Sequence, residues 1–461
     1  MVSDTAQRGI TAAAGSTTAT RRRILGTSLA AGGAVALAAC GQQGAGQAPA
    51  AGGAPKGKAL FWQWGAGYVD GFNVLVKEYN DKNTGVTIEF DPGVVSAGST
   101  DYWQKLTAAI AGNVAPDVFL MNTNARTWGS QGLMRPVDDL IKKDKTANEL
   151  NQSSNKAFAQ WYDIGGKQMG WPWDYSCIIT AYNVAHLKEA GLKLPSELGD
   201  KWDWTTFRDY AQKLTKPGTR WGAHPAFGDE SGWLNFVRAN GGDYLSEDRK
   251  KALLGSPQAI EAMEFLVNLV VKDRFVPTRQ ESSANNGTVD MLVNGQISMG
   301  TFGDWSMTDF RKKGASNFEW DIAPIPFKNG KTGNSANLRS LVINAQSKNV
   351  EQGFDFMKFM LTKPVQDRVP QLFGEVPARL DSANEIYANP DKAGPPKGRA
   401  TLKASIAATK ALPAADKTAP ADFRGLANAL INDAFDGKIS AKEAMTQAQE
   451  QINALLTKNG G

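Results

Sequence analysis

The sequence contains only two cysteines and two histidines among its 461 residues. His186 and His224 stand far apart, and neither belongs to an HExxH motif or a paired CxxC motif. The GxSxG turn of serine hydrolases is missing, and Asp70 stands where a dinucleotide-binding glycine motif needs its third glycine. We therefore expect no metal, no cofactor and no catalytic residues.

Long basic runs are also missing from the body of the chain. The formal net charge is +5, but residues 1–40 hold four arginines and one aspartate, so removing them leaves +2. A nearly neutral body without a basic stripe gives no electrostatic basis for binding nucleic acid.

The first forty residues predict a signal peptide. Arg21–Arg23 are followed by an apolar run that ends in Leu37-Ala38-Ala39-Cys40, which resembles a bacterial lipobox. In such signals the cysteine becomes the lipidated first residue of the mature chain, so Cys40 is predicted to anchor the protein outside the cytoplasmic membrane. An uncleaved anchor would give the same location. The arginines suit a twin-arginine signal and an ordinary one equally well.

Residues 41–57 consist of small residues, glutamine, proline and one lysine, which cannot form a core. We interpret them as a flexible linker that spans roughly 20–25 Å. Beyond it, Cys177 is the only remaining thiol, so no internal disulfide is possible. Its apolar surroundings favour a small buried side chain over a nucleophile.

The body shows alternating strand and helix patterns. Strand candidates at 59–62 and 86–90 flank a helical stripe formed by Val69, Phe72, Val76 and Tyr79. A further helical pattern precedes the strand candidate at 117–121. This order predicts the α/β class with a parallel sheet.

Aromatic residues beside polar groups recur near the predicted strand ends. The stretch MGWPWDYS (169–176) combines Trp173, Asp174 and Tyr175, and Trp305 follows Asp304. A pyranose ring has an apolar face that packs on an indole and hydroxyls that need directed acceptors and donors. The pattern favours a sugar site, whereas core packing is the better interpretation for the tryptophans at 62, 202 and 204.

Several longer segments carry a resemblance to a known family. GWPWDYSCIITAYNVAHLKEAGLKLP, KWDWTTFRDYAQKLT, VNGQISMG followed by GDW, IAPIP, and GKISAKEAMTQAQEQINALL are similar to segments of extracellular solute-binding proteins that supply sugars to ABC importers. The resemblance spans almost all of residues 59–461. Asp304 stands where this family has a proline.

The resemblance implies a periplasmic binding protein fold of type II, with two lobes, a hinge of several strands and a ligand cleft between the lobes. Hinge closure is a general property of such proteins. The expected first lobe comprises residues 58–170 and 337–374, and the second comprises 171–336 and 375–461. Chain crossings are expected at 170–173, 326–337 and 374–377.

The resemblance also implies the site and the partners. The expected ligand-binding residues are Trp64, Asn122, Asn124, Trp173, Asp174, Tyr175, Glu230, Trp233, Asp304, Trp305 and Arg339. The expected partners are a carbohydrate, the permease subunits of an ABC importer and the membrane through Cys40, with the protein itself a monomer.

Two other classes of function are also compatible with the sequence. A secreted carbohydrate-active hydrolase would need paired carboxylates across the cleft, and an interaction protein would use the fold as a scaffold. Within the binding class, polyols, peptides and phosphate esters are alternative ligands, although a phosphate would need more arginine and lysine.

Overall fold

Two main β-sheets of different size organise the protein, seen here in a computed structural model. The structure describes residues 55–82, 85–91, 99–122, 124–285, 287–314, 318–415, 418 and 420–459. Within these ranges the strands are β1 (Gly57–Trp62), β2 (Val86–Asp91), β3 (Val118–Met121), β4 (Met134–Arg135), β5 (Asp163–Ile164), β6 (Lys167–Gln168), β7 (Trp171–Tyr175), β8 (Ile178–Asn183), β9 (Trp221–His224), β10 (Ile297–Gly303), β11 (Trp320–Pro324), β12 (Asn334–Ala336), β13 (Leu338–Asn344), β14 (Val376–Pro377) and β15 (Thr409–Ala411).

Helices connect these strands and pack against them. They are α1 (Val69–Lys82), α2 (Ser99–Ala111), α3 (Ala125–Ser130), α4 (Asp138–Lys143), α5 (Lys145–Gln152), α6 (Lys156–Tyr162), α7 (Val184–Glu189), α8 (Trp204–Leu214), α9 (Trp233–Ala239), α10 (Pro257–Val271), α11 (Arg279–Ala284), α12 (Thr288–Val293), α13 (Ser306–Lys313), α14 (Val350–Met360), α15 (Lys363–Gln366), α16 (Val369–Leu372), α17 (Leu380–Ser382), α18 (Pro390–Ala393), α19 (Lys403–Ala407), α20 (Pro420–Phe435) and α21 (Ala441–Lys458).

The large sheet has the strand order β14-β7-β13-β3-β1-β2, with β4 paired to β13. β1 pairs in parallel with both β2 and β3, which confirms the predicted βαβ arrangement at the start of the body. β13 runs antiparallel to β3 and β7. The small sheet has the order β11-β8-β10-β9, in which only β9 and β10 are parallel. The strand pairs β12-β15 and β5-β6 form two further small sheets in the described residues. The α/β class is therefore confirmed.

Two helix starts are capped by side chains. Asp203 caps α8, since its carboxylate accepts a 2.8 Å hydrogen bond from the Thr206 amide. Ser440 caps α21 through the Glu443 amide, at 3.1 Å. Such side-chain oxygens satisfy amides that have no partner within the helix.

The tryptophans assigned to the core are buried. Trp62, Trp202 and Trp204 are each no more than 6% exposed. The Trp202 indole also donates to the Pro324 carbonyl at 3.0 Å, so its polar edge is satisfied inside the core. Cys177 is buried as expected, and burial raises the pKa of its thiol well above the usual value.

The chain passes between the two sheets next to Ser176. β7, which was expected to open the second lobe, instead pairs with β13 and β14 inside the large sheet. The chain enters the small sheet at β8, two residues beyond Ser176. At this crossing the Asn337 amide donates to Ser176 Oγ at 2.8 Å, joining two segments that run between the sheets.

The predicted signal peptide, including Cys40, and most of the predicted linker lie outside the described residues. Gly57, the last residue assigned to the linker, already belongs to β1. Among the described helices, none is both long enough and apolar enough to cross a lipid bilayer.

Candidate functional site

A cavity of about 220 Å³ lies where segments of the two sheets meet. Three of its lining residues are aromatic and five are polar or charged: Trp64, Tyr68, Ser176, Glu230, Trp305, Asn337, Arg339 and Glu375. Trp64 follows the end of β1 in the large sheet, and Trp305 follows the end of β10 in the small sheet. Ligands of α/β proteins bind at such strand ends.

Trp64 is held by other aromatic rings. Its ring centre lies 5.5 Å from that of Tyr102 and 5.3 Å from that of Trp103. Both neighbours belong to α2, so a helix fixes the orientation of the indole. An indole that is held in this way offers a flat apolar surface at little cost in conformational entropy.

Trp305 owes its position to the preceding Gly303. A Cβ atom built on Gly303 would lie 2.0 Å from Trp305 Cζ3, so the indole rests directly on the glycine backbone. The ring is half-buried against the core that contains α8, α9 and α10. Its remaining surface is the part that lines the cavity.

The floor of the cavity is an ionic cluster that joins three strand segments. Arg339 on β13 donates from Nε to Asp174 Oδ1 at 2.6 Å and from Nη2 to Asp174 Oδ2. Nη2 also lies 3.1 Å from Glu375 Oε1, which accepts the Tyr68 hydroxyl at 2.7 Å. The guanidinium carbon lies 4.6 Å from the centre of the Tyr68 ring.

Burial raises the pKa of two carboxyls in and beneath the cavity. It raises the pKa of Asp174 to about 7, with Arg339 opposing the shift and Glu375 adding to it. Burial likewise raises the pKa of Glu230 to about 7. Arg424 opposes this shift, whereas Asp229 and Glu375 add to it. Loss of water disfavours the ionised form of each group, and the neighbouring acids reinforce this effect.

Four of the predicted ligand residues line the cavity: Trp64, Glu230, Trp305 and Arg339. Asp174 lies directly behind Arg339 and is fully buried. Asn122 and Asn124 do not line the cavity, and the Asn124 amide donates to Asn122 Oδ1 at 3.1 Å.

Three aromatic residues that were expected to face the ligand are fully buried instead. Trp173 packs between Phe72 and Phe373, at ring distances of 5.7 and 5.6 Å. Tyr175 packs on Phe158, and Trp233 donates its indole N–H to Asn428 Oδ1 at 3.1 Å. Trp173 and Tyr175 belong to β7, whose five residues are all buried because the strand lies between β13 and β14.

Asp304 does not line the cavity either. It is fully buried, and its Oδ2 accepts the Tyr387 hydroxyl at 2.8 Å. Burial raises the pKa of its carboxyl well above the usual value, with Glu375 adding to the shift. Its side chain is therefore bonded within the interior, next to Trp305.

Four cavity residues were not singled out from the sequence: Tyr68, Ser176, Asn337 and Glu375. Asn337 and Glu375 lie within segments that were expected to cross between the lobes, and Ser176 lies three residues beyond another such segment. The predicted crossings could have identified these residues, because a residue at a crossing lies beside any cleft between the two sheets.

A larger cavity of about 450 Å³ lies elsewhere, between α6, the 243–249 loop and the 409–414 segment. Its charged side chains are largely paired with one another, as in the bonds that Arg238 and Lys410 make to Asp243. The smaller cavity combines two half-buried indoles with ionisable groups from both sheets, so we take it as the candidate site. Within the described ranges, no group of three or more histidine, cysteine or acidic residues is arranged to hold a metal ion.

Comparison with known proteins agrees with this architecture. The model of the bacterial extracellular solute-binding protein family matches residues 74–397. An uncharacterised lipoprotein of Streptomyces antibioticus is 21% identical over 291 residues, which is 62% of either chain, so this chain spans about 62% of that relative.

Solved structures share the fold at low sequence identity. A Listeria monocytogenes ABC substrate-binding protein, in complex with cycloalternan, is 22% identical with a TM-score of 0.74, covering 87% of this chain and 99% of its own. The sugar-binding protein MalE of Xanthomonas citri is 18% identical with a TM-score of 0.74, covering 87% and 98%. The cyclic α-maltosyl-1,6-maltose binding protein of Arthrobacter globiformis is 18% identical with a TM-score of 0.71, covering 87% and 100%.

The fold is that of the two-lobe periplasmic sugar-binding proteins. Because the family model matches well over half of the sequence, the chain belongs to the bacterial extracellular solute-binding protein family.

Proposed function

We propose that this protein is the substrate-binding subunit of an ABC importer and that it captures a sugar or oligosaccharide in the cavity between its two sheets. The observation that carries the proposal is the pair of indoles, Trp64 and Trp305, that line one cavity from different sheets. Structural neighbours whose names state sugar ligands support the same conclusion.

The mechanism follows from the distribution of these residues. Trp64, Tyr68, Arg339 and Glu375 come from segments of the large sheet, whereas Glu230 and Trp305 come from segments of the small sheet. A sugar that touches both groups gains contacts only when the two lobes are close together. Ligand binding therefore favours the closed state, which the permease would recognise.

The location and the partners belong to the same proposal. We propose that the mature protein is a monomer outside the cytoplasmic membrane, anchored through a lipid on Cys40. The family and the lipoprotein relative support this location. The lobe boundaries are proposed as in the sequence analysis, except that β7 and β14 belong to the large sheet.

A hydrolase function is not favoured by the site. Paired-carboxylate hydrolysis needs one acid as proton donor and a second that is free to act on sugar or water. Glu375 is engaged by Tyr68 and Arg339, and Asp174 is fully buried behind Arg339. The family and the neighbours are binding proteins.

Thermal unfolding of the full chain in mild detergent, against mono- and oligosaccharides, polyols, peptides and sugar phosphates, tests the proposal. A ligand at a hundred times its dissociation constant adds about 2.7 kcal/mol to the free energy of unfolding. We expect a shift for one class of sugars, with no product detected by chromatography. No shift with any sugar, or turnover of one, would contradict the proposal.

A further inference from the structure

The ionisable side chains around the cavity carry an excess of negative charge. The acids are Asp174, Asp229, Glu230 and Glu375, and the facing cations are Arg339 and Arg424. Arg339 is already bound by Asp174 and Glu375, and Arg424 makes two hydrogen bonds to Asp229, at 2.5 and 2.9 Å. With all six groups ionised, the cluster has two more negative charges than positive ones; at pH 7, where Asp174 and Glu230 are each about half protonated, an excess of about one remains.

Glu230 is the member of this cluster that is available to a ligand. Its backbone is fixed, because its amide donates to Asp229 Oδ1 at 2.9 Å and its carbonyl accepts from Asn235 Nδ2 at 2.7 Å. Its carboxylate lines the cavity and makes no hydrogen bond or ion pair with another residue in the described part of the chain. A ligand therefore meets a carboxylate that no other described side chain engages by a hydrogen bond, on a backbone that is held in place.

This charge balance discriminates between classes of sugar. A uronic acid or a sugar phosphate would add negative charge to a cluster that already carries an excess. The hydroxyls of a neutral sugar would donate hydrogen bonds to Glu230. Such a sugar would not offset the excess negative charge, and removing that charge from water as the lobes close costs free energy. A protonated amine offsets one charge and forms a charge-assisted hydrogen bond, roughly twice as strong as a neutral one.

We propose that the cavity selects a sugar bearing a protonated amine, an amino sugar or an aminated cyclitol, and that Glu230 is the residue that determines this preference. The inference rests on the proposed function, since it specifies the ligand class of the same cavity. Trp64 and Trp305 hold the ring in this arrangement, and Glu230 binds the ammonium group.

A pH dependence accompanies the preference. Glu230 faces Asp229 and Arg424 from its own lobe, and Arg339 and Glu375 from the other. Since burial and the neighbouring acids raise the pKa of Glu230 to about 7, it must lose a proton to pair with an amine. Affinity for the amine sugar should rise about fivefold between pH 6 and pH 7, while the amine itself stays protonated.

The test uses matched sugars on the full chain in mild detergent. Calorimetry compares glucose, glucosamine, N-acetylglucosamine and glucuronate, and the corresponding series of β-1,4-linked disaccharides. We expect the amine member to bind about tenfold more tightly than the hydroxyl member and the carboxylate to bind weakest. In Glu230→Gln this ratio should fall about tenfold and the Glu230 part of the pH dependence should disappear. Glu351→Gln, at an exposed site on α14, is the matched control and should keep the wild-type ratio.

The outcomes separate this inference from the proposed function. If hydroxyl and amine members bind equally, or if Glu230→Gln weakens both by the same factor, the amine preference is overturned and sugar binding stands. If no sugar in this series or in the wider panel binds, both conclusions fail. Melting of each variant without ligand shows whether it is folded.

Discussion

Arg339 and Asp174 face each other through two parallel hydrogen bonds inside the protein, although 165 residues separate them in the sequence. The pair joins β13 to β7 beneath the cavity, at the place where their register shifts between Arg339 and Ser340. Two strands that approach the crossing between the sheets are thus fixed by one ionic contact.

Asp174→Asn is expected to destabilise the fold, because it leaves the buried guanidinium with only Glu375 as an ionic partner. Losing hydrogen bonds to a charged group costs about 1.5–3 kcal/mol, and Glu375 remains to balance the guanidinium. Urea unfolding at neutral pH measures the loss. Lys188→Met removes an exposed ion pair to Glu319 and should cost less than about 1 kcal/mol. Equal losses in both variants would show that the buried pair has no special role.

Trp305→Ala is expected to abolish detectable sugar binding while the protein still folds. The indole is half-buried, and its free surface is a wall of the cavity. Calorimetry with the sugar identified in the panel measures the loss. Trp320→Ala is the matched control, because that half-buried indole on β11 does not line the cavity. Wild-type affinity in Trp305→Ala would remove Trp305 from the binding site.

Gly303→Ala should weaken sugar binding by displacing Trp305. The added methyl group would come within 2.1 Å of two carbons of the indole, so the ring must move. Tryptophan fluorescence of the free protein should shift together with the affinity. Gly425→Ala, in the middle of α20 with no atom within 4 Å of the new Cβ, should preserve the affinity and stabilise the helix by about 1 kcal/mol. Unchanged sugar affinity in Gly303→Ala would contradict the link.

His224 should make the free energy of unfolding decrease at acidic pH. Burial lowers the pKa of its imidazole to about 4, and the ring bonds to Ser282 Oγ at 2.8 Å. Below the ordinary pKa of 6.5 the unfolded chain takes up a proton that the folded protein does not bind. The stability that neutral His224 contributes above pH 6.5 is therefore lost as pH falls toward 4, by up to about 1.4 kcal/mol per pH unit.

The measurement for His224 is the difference in unfolding free energy between the wild type and His224→Gln across this pH range. The difference isolates His224 from His186, whose pKa burial also lowers to about 4. A difference that does not change between pH 6.5 and pH 4 would show that His224 does not cause the acid sensitivity.

Local chemistry was predictable from the sequence because its causes are local. Residue types and their spacing are enough to predict three features: the helix caps at Asp203 and Ser440, the parallel pairing of β1 and β2, and the burial of Cys177. Trp305 is predicted because it follows a strand and stands beside an acid, whereas Trp64 is implied by the family resemblance; both line the candidate cavity.

The positions of the other site residues depend on contacts between segments that are distant in the sequence. Trp173 has the same sequence features as Trp305, but its strand lies inside the large sheet, so its ring entered the core. The sequence pattern predicts Asp174 as a ligand-binding group, but in the structure Arg339 donates hydrogen bonds to its carboxylate. Glu375 gave no signal of its own, because its role arises from contacts to Tyr68 and Arg339, which are distant in the sequence.

The buried Cys177 makes the protein convenient for observing its own motion. If Cys40 carries a lipid, this thiol is the only one left, and it has no exposed surface. Surface cysteines introduced into one segment of each sheet would then accept fluorescent dyes selectively, without first removing the native Cys177. Energy transfer between two such dyes on single molecules would report how often the empty protein visits its closed form.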